Sequence, residues 1–90
     1  MSQSRAAGHP AGTREAYAAA VEGRHPGVVN IMRHFAWAHL PTHLQAVSMP
    51  LGRLALEMVD DFPDDTPELV AGLRKLLEAK DCFVRAAIDR

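Results

Sequence analysis

The strongest constraint on the fold is a helical apolar pattern that fills the C-terminal part of the chain. Thr66 precedes Pro67 and Glu68, which is a typical helix start. A threonine hydroxyl can accept from a free backbone N–H of the first turn, and a proline there has no N–H that would need a partner. Apolar side chains then recur at three- and four-residue steps: Leu69, Val70, Leu73, Leu76, Leu77, Phe83, Val84, Ala87 and Ile88. The sequence therefore predicts a long amphipathic helix from Pro67 onward.

A second apolar stripe precedes it, comprising Leu44, Val47, Leu51, Leu54, Ala55, Met58 and Val59. Thr42 and Gln45 have the spacing of a capping box, which predicts a helix start at Thr42. Pro50 lacks a backbone N–H, so we expect either a kink there or a later start at a Ser48 cap. A polar turn over residues 61–66 joins the two stripes, which together predict an antiparallel helical hairpin.

The N-terminal part has weaker patterns. Residues 1–13 are rich in Ser, Gly, Ala and Pro, which predicts a flexible arm before a single domain over residues 14–90. Residues 14–22 favour a short helix. Residues 27–40 place Phe35 and Trp37 near one face of another helix that ends before Pro41, although the same residue types also suit a strand. The predicted fold class is all-α, a helical hairpin with one or two short N-terminal helices.

Composition limits the function classes. The chain of 90 residues is long enough for one small domain, and its single cysteine, Cys82, excludes an intramolecular disulfide. We therefore expect self-association to supply stability. A formal net charge of −1 argues against a DNA partner. No apolar run approaches the roughly 18–20 residues of a membrane span, so we expect a cytoplasmic protein without a membrane partner.

No residue pattern indicates catalysis. His34, His39 and His43 are close in sequence, but Pro41 interrupts the four-residue spacing with which a histidine pair on one helix binds a metal. Cys82 has no convincing histidine partner for a catalytic thiol. We expect no enzyme activity, no metal and no cofactor. The part through Pro41 has four arginines against two glutamates, a polarity that could align protomers or attract a small anion: Arg5, Arg14, Arg24 and Arg33 against Glu15 and Glu22.

The most unusual stretch covers residues 33–41, where Arg33, aromatic rings and imidazoles precede a helix N-terminus. Such groups stack on nucleobases and hold phosphates. Core packing by Phe35 and Trp37 explains the same spacing equally well. Both interpretations stay open on the residues alone.

The order of several motifs resembles a phage family of small sponges, the anti-CBASS cyclic-nucleotide sponge and the related anti-Thoeris sponge, which share a helical hairpin domain. The motifs span about residues 33–90: Phe35-x-Trp37-x-His39-x-Pro41, a helix ending LALEMV, a turn with Pro63, the start Thr66-Pro67-Glu68 and the finish LLEAKDCFVRAAIDR. The resemblance implies a homo-oligomer, a hexamer, that binds cyclic di- or trinucleotides or cyclic ADP-ribose-type immune signals without cleaving them. Sequestration would keep the host defence inactive.

The resemblance also implies site residues. Phe35 and Trp37 would supply aromatic packing or base stacking, and His39 and Pro41 would shape the pocket wall. The family's phosphate-suited arginine aligns near Ser48, and its asparagine in the last helix aligns with Arg85.

These departures, with Leu40 in place of a proline, imply either a different ligand or phosphate contacts that have moved to Arg33, His43, Arg53 or Arg85. A lone hairpin is too thin to enclose a dinucleotide, so the pocket is expected between protomers. The alternative is a helical homo-oligomeric interaction or regulatory module without a small-molecule ligand.

Overall fold

Residues 8–89 are described by a computed structural model, which contains four α-helices. The helices are α1 (Arg14–Ala20), α2 (Pro26–Met32), α3 (Thr42–Asp61) and α4 (Pro67–Ile88), and a 3₁₀ turn at Arg33–Phe35 follows α2. No strand occurs within these residues, so the all-α prediction is confirmed and the strand alternative for residues 27–40 is wrong. None of the helices within residues 8–89 combines the length and apolarity needed to cross a membrane.

The start of α4 confirms the sequence prediction. The Thr66 hydroxyl accepts a hydrogen bond from the Leu69 N–H at 3.2 Å, and Pro67 occupies the first turn. Thr13 caps α1 in the same way, accepting from the Ala16 N–H at 3.1 Å. Both caps satisfy a backbone donor that the first turn of a helix leaves free.

The start of α3 is where predicted, but the predicted capping box is wrong. The cap residue is Pro41, with no side-chain hydrogen bond, and Thr42 is already helical. Pro41 has no N–H for Gln45 to accept from, so a reciprocal box is impossible. Gln45 Nε2 instead donates to the carbonyls of Ala38 and Leu40, at 3.2 and 2.8 Å. The glutamine therefore fixes the loop before α3.

Helix α3 continues through Pro50 to Asp61, so a later start at a Ser48 cap is wrong. Ser48 lies on the buried face of α3, which also carries Leu44, Gly52, Ala55 and Val59. Its side chain is fully buried, and its hydroxyl has no hydrogen-bond partner among the residues described. This position requires a small side chain more than it requires a polar one.

The predicted helix over residues 27–40 is wrong beyond Phe35. Ala36 has ψ 138°, which leaves helical geometry. The N–H groups of Trp37 and Ala38 both donate to the Gly12 carbonyl, at 2.9 and 3.0 Å, in place of carbonyls within a helix. The later part of the predicted arm, residues 8–13, is thus joined to this loop through Gly12, and residues 1–7 lie outside the described part of the chain.

The core lies where all four helices and the loop meet. Helices α3 and α4 pack along each other, and α2 packs on α4. The buried hydrophobic cluster comprises Tyr17, Val21, Val28, Met32, Phe35, Ala36, Ala55, Val59, Leu69 and Leu73. Since members come from every segment, the short N-terminal helices are part of the same core as the two long ones.

Two glycines permit close contact with Trp37. Gly12 has φ +81°, and a Cβ on it would overlap the Trp37 indole. A Cβ on Gly52 would lie 2.5 Å from the Tyr17 hydroxyl and 2.8 Å from the Phe35 carbonyl oxygen. Backbone alone therefore fits between Trp37 and these two neighbouring segments.

Arg24 joins the α1–α2 connection to the turn between α3 and α4. Its Nε donates to Asp65 Oδ1 at 2.7 Å, and its terminal nitrogens donate to the carbonyls of Val59 and Phe62 at 3.1 and 2.7 Å. Asp65 Oδ2 also accepts from the His25 backbone N–H at 2.7 Å. These bonds hold the pKa of Asp65 below its ordinary value, chiefly through the Arg24 hydrogen bond.

We expect Gly52→Ala to destabilise the protein by about 1–3 kcal/mol, because the added methyl overpacks a contact with backbone and ring atoms. Chemical denaturation measures the change. Gly72→Ala on α4 is the matched control, since no atom lies within 4 Å of its Cβ position. The control should stabilise by up to about 1 kcal/mol through helix propensity. Equal effects of the two substitutions would contradict the packing described here.

Asp65→Asn should lower the midpoint of thermal unfolding at pH 7 and flatten its acid dependence. Since the folded-state pKa is lowered, the contribution is present above the unfolded pKa of about 3.9 and is lost as pH falls through the folded value. Unfolding midpoints measured between pH 7 and pH 2 test this. Asp64→Asn, at an exposed neighbouring position, should keep the wild-type acid dependence.

Candidate anion-binding site

A cleft of about 520 Å³ opens between α1, the segment after α2 and the C-terminal half of α4. The polar side chains that line it are all arginines, histidines or a lysine: Arg14, Arg33, His34, His39 and Lys80. The apolar lining consists of Ala18, Ala36, Leu40 and Val84. No aspartate or glutamate within residues 8–89 belongs to this lining, so the cleft is a cationic region in a chain of net charge −1.

Each lining segment is held by interactions described above. Arg14 is the first residue of α1, directly after the Thr13 cap. Arg33 begins the 3₁₀ turn that ends in the buried ring of Phe35. His39 lies between Ala38 and Leu40, whose carbonyls both accept from Gln45. The backbone positions of these cleft residues are therefore set by the fold before any ligand binds.

The cations of the cleft differ in what they contact. The guanidinium groups of Arg14 and Arg33 are on exposed residues and form no hydrogen bond or ion pair within the described chain. Lys80 is largely covered, with a side chain 13 % exposed, and its Nζ lies 2.9 Å from Asp81 Oδ1. Two arginines are thus free to meet an anion, while the lysine already has a carboxylate partner.

Of the predicted site residues, Arg33 and His39 are brought together in the cleft. Phe35 lies in the core with 0 % exposure, which corresponds to the packing interpretation and leaves no ring surface for a nucleobase. Trp37 is half-buried and packs against Gly12 and Gly52. Neither aromatic ring belongs to the lining of the cleft.

The other predicted residues lie outside the cleft lining. Pro41 and His43 are exposed at the start of α3, and Ser48 is buried. Arg85 is exposed on α4, where its guanidinium donates to Cys82 Sγ at 3.3 Å. Within residues 8–89, no three side chains of the metal-ligating types form a cluster suited to a metal ion.

Arg53 is exposed on α3, and its charge acts on Tyr17. The Tyr17 hydroxyl is buried close to the Trp37 indole without the geometry of a hydrogen bond. Burial raises the pKa of Tyr17 to about 12, and the nearby Trp37 and Arg53 oppose this shift only in part. Tyr17 is therefore a neutral core residue at physiological pH.

Sequence reasoning missed Lys80 and gave no specific role to Arg14 or His34. The arginine excess of the N-terminal part was the signal for Arg14. For Lys80 the signal is a lysine within an apolar stripe, since Leu76, Leu77 and Val84 lie three or four residues from it. A charged side chain on the core-facing side of a helix requires either a partner or a functional reason.

Comparison of the chain with known protein families, with curated proteins and with solved structures found no match. The resemblance to the sponge family therefore rests on the sequence motifs, and the candidate site rests on the geometry of the cleft.

Proposed function

We propose that this protein is a non-enzymatic sponge that binds a cyclic oligonucleotide or cyclic ADP-ribose-type signal in the basic cleft. The observation that carries the proposal is the convergence of Arg14, Arg33 and Lys80 from three separate segments. A volume of about 520 Å³ falls in the range of small-molecule sites, about 300–1,000 Å³. The sponge resemblance supports the choice of ligand class.

The lining suits the parts of such a ligand. Guanidinium groups form bidentate, charge-assisted hydrogen bonds with phosphate oxygens, so Arg14 and Arg33 would contact phosphates. The imidazoles of His34 and His39 offer donors and ring faces to ribose and base. The small apolar wall formed by residues such as Ala36 and Leu40 admits the carbon surface of a nucleoside. Binding alone lowers the free concentration of the signal, so no catalytic group is required.

We also propose that the chain functions as a homo-oligomer, a hexamer by resemblance, in the cytoplasm of the host cell. Helices α3 and α4 would form an antiparallel hairpin whose outer face joins protomers. Large apolar side chains are exposed on this part of the protein: Leu54, Phe62, Phe83 and Ile88. A chain this small gains stability by covering such surface, and a neighbouring protomer could close the open side of the cleft.

The same exposed side chains favour a second candidate function. A helical interaction or regulatory module would use Phe62 and Phe83 to bind a different protein. The two functions differ in what the basic cleft does, because the module needs no small anion there.

The purified protein should be screened by thermal shift against cyclic di- and trinucleotides and cyclic ADP-ribose isomers, with its mass in solution measured alongside. We expect a rise of several degrees with one ligand class, on an oligomer, and recovery of the ligand unmodified. Calorimetry should then show that Arg33→Ala weakens binding by at least about tenfold, because a charge-assisted contact is removed.

Arg74→Ala is the matched control, since it removes the same charge from an exposed position on α4 outside the cleft. It should bind the ligand as the wild type does. No thermal shift with any ligand on a folded oligomer would reject the sponge and support the interaction module. Equal losses in both variants would reject the cleft as the site.

A further inference from the structure

One cation of the cleft already has a counter-ion supplied by its own helix. Lys80 Nζ and Asp81 Oδ1 are 2.9 Å apart. Consecutive side chains on an α-helix project about 100° apart and do not face each other, so this pair forms only because the lysine turns its ammonium toward Asp81. Lys80 is 13 % exposed and Asp81 is 45 % exposed. The lysine belongs to the cleft lining, whereas Asp81 lies outside that lining and is the more exposed of the two.

The pair contrasts with the rest of the cleft. Arg14 and Arg33 form no ion pair within the described residues, whereas the α4 wall is neutralised where Lys80 meets Asp81. A ligand that reaches only the arginines gains nothing from Lys80. A ligand that also presents an anionic group to α4 competes with Asp81 for the Lys80 ammonium and is repelled by the Asp81 carboxylate.

We propose that Asp81 is an internal counter-ion of the cleft, which pairs with Lys80 and is displaced by a phosphate group of the ligand. This inference rests on the proposed binding of phosphates in the cleft. Near-surface ion pairs are weak, and a phosphate forms charge-assisted hydrogen bonds of the same kind as a carboxylate, so a ligand that is also held by the arginines can replace Asp81 at Lys80. The exposed Asp81 carboxylate returns to water at little cost.

The exchange selects a chemical class of ligand. A singly charged anion that displaces Asp81 replaces one negative charge by another and gains little at Lys80. A ligand with two phosphate groups keeps one at the arginines while the other takes the Lys80 position. Lys80 therefore favours ligands with at least two phosphates over simple monoanions, and Asp81 lowers the affinity of any ligand that reaches Lys80.

Inorganic pyrophosphate is the probe, titrated by calorimetry at low ionic strength into the full chain and its variants. We expect Asp81→Asn to bind pyrophosphate on the order of fivefold more tightly, because a competing charge is removed. Lys80→Met, which keeps most of the aliphatic stem, should bind it at least about fivefold more weakly. In the Lys80→Met background, Asp81→Asn should have little further effect, since the two act as a pair.

Glu78→Gln is the matched control, because it removes the same charge from an exposed position of α4 outside the cleft lining. A gain in Asp81→Asn no larger than in Glu78→Gln would overturn the inference, as would a gain that persists in Lys80→Met. Circular dichroism monitors folding, and Lys80→Gln replaces Lys80→Met if the latter does not fold.

Failure of this inference is distinguishable from failure of the proposed function. A gain in Asp81→Asn with pyrophosphate, together with no binding of any cyclic signal, would retain the counter-ion and reject the sponge. Binding of a cyclic signal with no effect of Asp81→Asn on pyrophosphate would do the reverse. Absence of pyrophosphate binding in every variant would overturn the counter-ion, because it requires a phosphate at Lys80.

Discussion

The hydrogen bonds from Trp37 and Ala38 to the Gly12 carbonyl determine most of what is unusual in this structure. They end the helical course of the chain after Phe35 and place the Trp37 indole against Gly12 and Gly52. The loop that follows is then held from its other side by Gln45. Because this loop carries His39 and follows Arg33, the same bonds define one wall of the basic cleft.

The sequence predicts the elements whose determinants are local. The start of α4 depends on Thr66 and on an apolar period within the helix itself, so both are visible in the sequence. The end of the helical course after Phe35 is different. Residues 36–40 are compatible with a helix, and the competing acceptor is at Gly12, more than twenty residues earlier. A tertiary contact overrides local helix propensity there, and a prediction made from neighbouring residues does not include that contact.

The candidate site follows the same rule. Arg33 and His39 are close in sequence, in the stretch that the residues single out, and the family resemblance implies that both belong to the site. Arg14 and Lys80 reach the cleft only because α1 packs against the 3₁₀ turn after α2, and α4 packs against α2 and α3. Ser48 and Arg85 were predicted by alignment to family positions. The fold buries Ser48 and directs the Arg85 guanidinium to Cys82, which the order of motifs cannot show.

The positive charges of the cleft also destabilise the folded protein, and the Lys80–Asp81 pair reduces this destabilisation. Cations gathered in one concave region repel each other, and a largely covered ammonium loses hydration. Asp81 offsets part of both effects at Lys80, and Asp65 is the corresponding partner of Arg24 in the turn between α3 and α4. The two pairs differ in their surroundings. Arg24 also bonds two backbone carbonyls and is fixed by them, whereas Lys80 has one exposed carboxylate that an incoming anion can replace. The Arg24–Asp65 pair therefore stabilises the fold, whereas the Lys80–Asp81 pair acts on ligand binding in the cleft.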